Sequence, residues 1–204
     1  VQTICTVDAS TYQSYMANMG SLMVEQYRNA DMVLFNRCDE NSRKSFMRSN
    51  VKAVNRPAQI LYEAAEGHEF NDQEDDLPFD VNASVIEIAD DDYGLWYMDA
   101  LDHPDKYKGK TVRFKAMAYR GPRFAKNVIV PGRHAMTCCA DDIAFVGFMC
   151  KGDACKNVQK RDWITVTAQV KVEFIPAYKE KGPMLYAQKI EKAEPPKEQL
   201  VYFT

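Results

Sequence analysis

No stretch of the chain approaches the ~20 consecutive apolar residues that a bilayer-spanning helix needs, so the sequence predicts no direct membrane insertion. There is no basic excess either: 26 Lys and Arg against 29 Asp and Glu leave a net charge of −3. The counterion-driven attraction to phosphate that dominates nucleic-acid affinity is therefore missing, and nucleic acid is not an expected main partner. Cysteine is sparse. Six residues, Cys5, Cys38, Cys138, Cys139, Cys150 and Cys155, are too few and too unevenly spread for a disulfide-stapled secreted domain. With no secretory leader, a reducing cytoplasm is the expected location. A Gly-x-x-x-x-Gly-Lys-Ser/Thr phosphate loop is also lacking. The chain opens at Val1 in what already reads as a strand, and is taken for the C-terminal part of a longer protein.

What is there changes period midway. Thr3–Ala9 is a β-branched run that suits a buried strand of a parallel sheet. Tyr12, Tyr15, Met16, Met19, Leu22, Met23 and Tyr27 then recur at three and four residues, the stripe of an amphipathic helix with Ser10 or Thr11 as N-cap; Gly20 weakens it without breaking it. Met32–Phe35 reads as a second buried strand, followed by the polar turn 36–39. Ser42 is placed to cap a second helix with Phe46, Met47, Val51 and Val54 inside, ending before Pro57. A third strand follows at Gln59–Tyr62. Strand, helix, strand, helix, strand with short connections predicts an α/β unit with a Rossmann-like parallel sheet over residues 1–66.

Residues 67–84 are read as an acidic linker, since nothing there repeats in a way that buries a face. Beyond it the period is two. In 163–174, Ile164, Val166, Ala168, Val170, Val172 and Phe174 alternate with polar residues, a strand with one buried face. Shorter runs at 85–89, 111–119, 127–130, 143–150 and 185–190, with a helix near 95–101, predict a mostly antiparallel β-barrel resembling an OB-fold over 85–204.

The sequence Asn36-Arg37-Cys38-Asp39, between a strand and a helix, resembles the Asn-Lys-x-Asp guanine-reading motif of GTPases. A carboxylate at the last position accepts two hydrogen bonds from the guanine edge, a match adenine does not offer. Val7-Asp8-Ala9, Glu25-Gln26 and Ala30-Asp31 before it, and Val54-Asn55-Arg56-Pro57-Ala58 after it, are similar in order and spacing to stretches of the CobW-like GTPases, a family of GTP-dependent metal chaperones. The resemblance covers roughly residues 3–62. It implies a partial GTPase domain in which Asn36 braces the loop, the stem of Arg37 covers a base face and Asp39 reads the base. GTP or GDP with Mg²⁺ is then a ligand of the intact parent. The family's Cys-x-Cys-Cys metal motif is absent, as is the phosphate loop, so no catalytic residue is assigned and this chain alone is expected to be inactive.

Pro104–Lys110 and His134-Ala135-Met136-Thr137-Cys138-Cys139-Ala140-Asp141 resemble a second family, the soluble C-terminal domain of permease-associated proteins, over roughly residues 85–204. His134, Cys138, Cys139, Asp141 and Asp142 are also the densest cluster of potential metal ligands. Of these, His134, Cys138, Cys139 and Asp141 form the expected set, and thiolate with imidazole suits zinc. In a continuous strand the two adjacent thiols face opposite ways, so a shared site requires a turn at Cys138-Cys139. Cys150 and Cys155 are read as strand-end and loop residues, and His68 and His103 as solvated surface. The resulting expectation is a GTP-dependent metal-delivery protein for zinc or cobalt, serving a client protein or transporter. The alternative is a non-catalytic accessory module of a metal transporter.

Overall fold

Parallel strands need crossovers, and the first part of the chain supplies them as helices. In the computed structural model, which describes residues 1–64, 76–175 and 179–203, β1 (Ile4–Asp8), α1 (Ala9–Tyr27), β2 (Met32–Cys38), α2 (Lys44–Val54) and β3 (Gln59–Ala64) follow in order. The strands pair in parallel as β1-β2-β3. The order is sequential, without the reversal that marks a Rossmann switch point. β1 is an edge strand with Ile4 and Thr6 exposed, where the sequence predicts a buried one. The chain divides into two compact units, and this one comprises Val1–Leu77, Met136–Ile143 and Phe203–Thr204.

Its core is aromatic and centred on β2. The ring of Tyr12 meets Phe35 edge-on at 5.1 Å and Tyr62 stacks on Phe35 at 5.8 Å. The hydroxyls of Tyr12 and Tyr27 are 3.2 Å apart, and Asn55 Nδ2 donates to the carbonyls of Tyr27 and Ala30, closing the end of α1. The expected caps differ from those found. Asp8, not Ser10 or Thr11, caps α1, accepting from the Ser10 amide at 3.0 Å, because its carboxylate is already at the strand end where the first helical amides point. Ser42 turns back to bond Asp39, and the Ser45 amide at the start of α2 donates instead to Asp76 at 2.9 Å. α1 bends at Met19, whose φ of −145° is not helical, next to Gly20. The predicted linker falls partly outside the described residues, as does His68.

The second unit comprises Pro78–Ala135 and Ala144–Tyr202. It contains β4 (Val85–Glu87), α3 (Tyr93–Asp102), α4 (Pro104–Tyr107), β5 (Thr111–Tyr119), β6 (Val128–Ala135), β7 (Ala144–Gly147), β8 (Cys150–Lys151), β9 (Trp163–Ile175), β10 (Glu180–Lys192) and β11 (Leu200–Val201). These eight strands form one mostly antiparallel sheet. Its pairings close on themselves: β5 pairs β9, β9 pairs β10, β10 pairs β8 in parallel, β8 pairs β6, and β6 returns to β5. The alternation expected in β9 holds from Ile164 to Val170 and then slips, leaving Phe174 59% exposed. The cause is visible in the register, because pairing with β5 ends at Gln169 and the remaining residues have β10 alone as neighbour. Gly132 and Gly147 face each other across β6 and β7. A Cβ on Gly147 would lie 2.6 Å from the Pro131 carbonyl, so this crossing requires glycine.

α3 buries Leu95, Trp96, Met98 and Ala100, and Trp96 lies 4.8 Å from Phe114 of β5. Asp99 on the same helix accepts from His103, Lys106 and Tyr107, at 3.1, 2.8 and 2.6 Å. His103, expected as solvated surface, thus helps fix α4 to α3. Burial opposes the charge of Asp99, but the three donors outweigh it and hold its carboxyl at about 2. A depressed carboxylate contributes stability above its unfolded value and loses it as pH falls through the folded one. We expect about 2 kcal/mol to disappear between about pH 4 and pH 2. Urea unfolding across that range should show this loss, and Asp99→Asn should abolish that part of the pH dependence; an unchanged slope would show that the cluster holds no charge.

Candidate metal centre

After Ala135 the chain leaves β6, bends through Thr137–Cys139 and tightens into a 3₁₀ turn at Ala140–Asp142. Asp142 organises the turn. Its carboxylate accepts from the amides of Thr137 at 2.9 Å, Cys138 at 2.8 Å and Cys139 at 3.3 Å, while its own amide returns to the Cys139 carbonyl at 3.1 Å. This folds the two neighbouring cysteines to one side. The thiols of Cys138 and Cys139 and a carboxylate oxygen of Asp142 all lie within 4.8 Å of one another. Among the described residues this is the one such group of three. A shared site needs a turn at Cys138-Cys139, and the structure has it.

The membership differs from the expected set. Asp141 is exposed and is not in the group, whereas Asp142 occupies the third helical position, whose side chain reaches back to the cap amides. His134 is exposed on β6 in the second unit, edge-on to Phe145 at 5.3 Å, and is not in the group. The separation of Cys139 and Asp142 by three residues is a capping spacing, and that signal was available in the sequence.

The environment sets the proton inventory. Burial, then hydrogen bonds to Asp142 and Cys139, push the Cys138 thiol up to about 12. Burial acts against ionisation of Asp142 too, but the Cys138 thiol and three amides outweigh it and hold the carboxyl below its ordinary value. Cys138 packs against the buried core of its unit, as do Cys5 and Met16. The donor set fits a soft divalent ion. Tetrahedral zinc with thiolate bonds of ~2.3 Å places neighbouring ligand atoms roughly 3.5–3.8 Å apart, a small contraction of the present group. Three amides occupy three of the roughly four acceptor directions of Asp142, leaving one for the metal. Three protein ligands leave a fourth position open, the arrangement of exchangeable rather than closed structural sites.

The other sequence-marked residues stand apart. Asn36 and Arg37 are inside β2, where the pairing with β3 slips between Phe35 and Cys38 and Arg37 takes a φ of 56°. The bulge extends the strand through the expected turn. Arg37 Nη1 donates to Asp8 at 2.5 Å, and Asn36 Oδ1 is buried with no partner. Asp39 Oδ1 accepts from the Asn41 amide and the Ser42 hydroxyl, both at 3.0 Å. Cys150 and Cys155 are fully buried with sulfurs 4.0 Å apart, a pair with no third potential ligand among the described residues.

A parallel α/β unit carrying a thiol and carboxylate turn, with a mostly β unit, is the class of protein that fold and site define. The chain belongs to the DUF1980 C-terminal domain family, whose model matches residues 65–203. It is similar to UPF0703 protein YcgQ of Bacillus subtilis (strain 168), with 23% identity over 117 residues, 57% of this chain and 41% of that protein. The chain thus spans less than half the length of that relative. These matches support the likeness read in the C-terminal part; the GTPase likeness of residues 3–62 rests on the sequence motif. Among solved structures, an aspartyl tRNA synthetase from Entamoeba histolytica aligns with a TM-score of 0.27 and 15% identity, over 46% of this chain and 21% of that one, too low a score to indicate a shared fold.

Proposed function

We propose that the chain is a metal-binding accessory module that holds a soft divalent ion, zinc first, at Cys138, Cys139 and Asp142 and passes it to a client protein or transporter. The observation that carries this is the convergence of two thiols and one carboxylate within 4.8 Å on a turn built by that carboxylate. The open fourth position is where a client ligand would enter. The second unit is read as an OB-like barrel, supported by the closed circuit of pairings and the parallel β8–β10 contact. Six free cysteines suit a reducing compartment such as the cytoplasm. Equilibrium dialysis against zinc at neutral pH tests the reading; one ion per chain is expected, and none under metal-replete conditions removes it.

A second reading, a guanine-nucleotide domain of the CobW type completed by a phosphate loop elsewhere in a longer parent, is favoured by one observation. Arg37 is held in a left-handed bulge at the carboxyl end of the central parallel strand, beside the unpartnered Asn36 Oδ1. Ligands of open α/β sheets bind at that end. Asp39 would then read the base with its carboxylate. In such a parent, Asp39→Asn should shift preference from guanine to xanthine nucleotides in competitive binding, because a pair of acceptors becomes one donor and one acceptor. Retained guanine preference would remove Asp39 from the role. The present chain, without the loop and its Mg²⁺ ligands, should bind GDP weakly and hydrolyse no GTP.

A further inference from the structure

The second unit has a cleft of ≈ 480 Å³ lined by Met117 and Tyr119 at the end of β5, His134 of β6, Phe145 of β7, and Lys160 and Arg161 ahead of β9. Its chemistry departs from that of the chain as a whole. The protein carries a net charge of −3, yet this wall holds two cationic side chains and an imidazole and no carboxylate. Among the described residues no carboxylate pairs with Lys160, Arg161 or His134. The cations are set against rings: Lys160 Nζ lies 5.6 Å from the centre of Tyr119, Tyr119 is 5.9 Å from Phe145, and Phe145 is 5.3 Å from His134. Tyr119 is 39% exposed, a large apolar surface left to solvent beside unpaired charge. Arg161 adopts a φ of 73°, a left-handed conformation that is costly for arginine and that the surrounding backbone enforces, its amide donating to the Ala118 carbonyl at 2.8 Å.

Aromatic faces accept planar rings, and neighbouring Lys and Arg accept phosphate, the guanidinium in bidentate fashion. The volume is that of a small-ligand site. We propose that this cleft binds a nucleoside phosphate, its base against the rings of Tyr119, His134 and Phe145 and its phosphate between Lys160 and Arg161. The lack of a basic footprint over the whole chain excludes broad electrostatic binding of a duplex, and leaves a local site of this kind untouched. The site is independent of the metal centre and of Asp39. A free nucleotide and the end of a single strand present the same chemistry, and the test separates them.

Calorimetry of the full 204-residue chain with adenosine monophosphate, adenosine, inorganic phosphate and a short oligothymidylate is the experiment. The monophosphate should bind with unit stoichiometry and weaken with salt, with adenosine and inorganic phosphate each at least about tenfold weaker, since each lacks half of the contacts. An oligothymidylate that binds more tightly than the monophosphate assigns the site to a strand, and equal or weaker binding assigns it to the free nucleotide. Tyr119→Ala and the pair Lys160→Ala with Arg161→Gly should each weaken binding about tenfold or more. Glycine is chosen at 161 because it relieves the left-handed backbone. All three side chains are exposed, so these variants should fold, and resonance shifts of His134 and Phe145 on titrating the unmodified chain give a second readout. The proposal is overturned by no binding of either phosphorylated probe at about millimolar concentration, by binding that survives both variants, or by inorganic phosphate or adenosine binding as well as the monophosphate.

Discussion

Serine at both Cys138 and Cys139 is expected to abolish stoichiometric zinc binding, and either single change to weaken it by at least about a hundredfold, because a hydroxyl does not ionise to the anionic donor that zinc requires. The pH dependence follows from the proton inventory. The Cys138 thiol, raised to about 12, carries its proton at neutral pH, so metal entry must expel it. Each thiolate formed releases one proton, and apparent affinity falls up to tenfold per thiol for each unit of pH removed. Between about pH 8 and pH 6 this amounts to about a hundredfold for Cys138. The metal-free protein has the opposite preference. A thiol whose folded value is raised contributes stability below its unfolded value near ~8.5 and loses it as pH rises toward about 12. Added zinc should therefore raise the melting temperature most clearly above neutrality, and should leave the double variant unmoved. Asp142→Asn separates scaffold from ligand: the amide oxygen retains an acceptor for the turn and loses the charge. Equal zinc content in all these proteins would reduce the thiol pair to packing.

How far the sequence shows this site depends on the range of the interactions involved. The alternation of Ile164, Val166, Ala168 and Val170 and the three-and-four spacing of Tyr12, Met16, Met23 and Tyr27 are local signals, and β9 and α1 stand where they point. The run 111–119 coincides with β5. The expected run 127–130 covers only the start of β6 (Val128–Ala135), which goes on through Pro131 and Gly132. In the structure the strand runs through both to Ala135, since pairing with β5, β7, β8 and β11 along its length supplies what the local residues lack. Likewise β10 begins at Glu180, five residues ahead of the apolar run at 185, because β9 pairs with it through Pro183 and Gly182. The cluster of potential ligands was legible in composition, while the trio that the turn brings together includes Asp142 in place of His134 and Asp141. That Met136–Ile143 joins the first unit while His134 stays in the second is a matter of tertiary packing, which no local spacing encodes. The choice of Asp142 over Asp141 is local, and the capping spacing from Cys139 indicates it.

Arg133 shows the limit of such reading, and its replacement by methionine should be among the most damaging changes in the second unit. Its side chain is 1% exposed, although nothing around Gly132-Arg133-His134 marks it as interior. Nη1 donates to Asp90 at 2.9 Å and Nη2 to the Glu198 carbonyl at 2.8 Å, and the guanidinium lies over the rings of Trp163 and Tyr93 at 5.3 and 6.0 Å. One planar cation thus joins β6 to the segment before β11 and to the loop ahead of α3. Methionine fills much of the volume but satisfies neither the carboxylate nor the carbonyl. Asp90 is 34% exposed and keeps Lys115 as a partner, so the loss is chiefly the charge-assisted bond and the carbonyl left without its donor, about 2–3 kcal/mol. The exposed side of the same carboxylate gives the contrast: Lys115 bonds Asp90 at 3.2 Å from a position 32% exposed, so Lys115→Met should cost at most about 1 kcal/mol. Both tryptophans of the chain, Trp96 and Trp163, belong to the second unit, and their emission during urea unfolding reports that unit alone. Arg133→Met should shift this transition to much lower urea, and Arg133→Lys should recover only part of it, since lysine restores the charge beside Asp90 without the second carbonyl bond or the planar stacking. A midpoint for Arg133→Met no lower than that of Lys115→Met would show that the buried guanidinium is replaceable by packing alone.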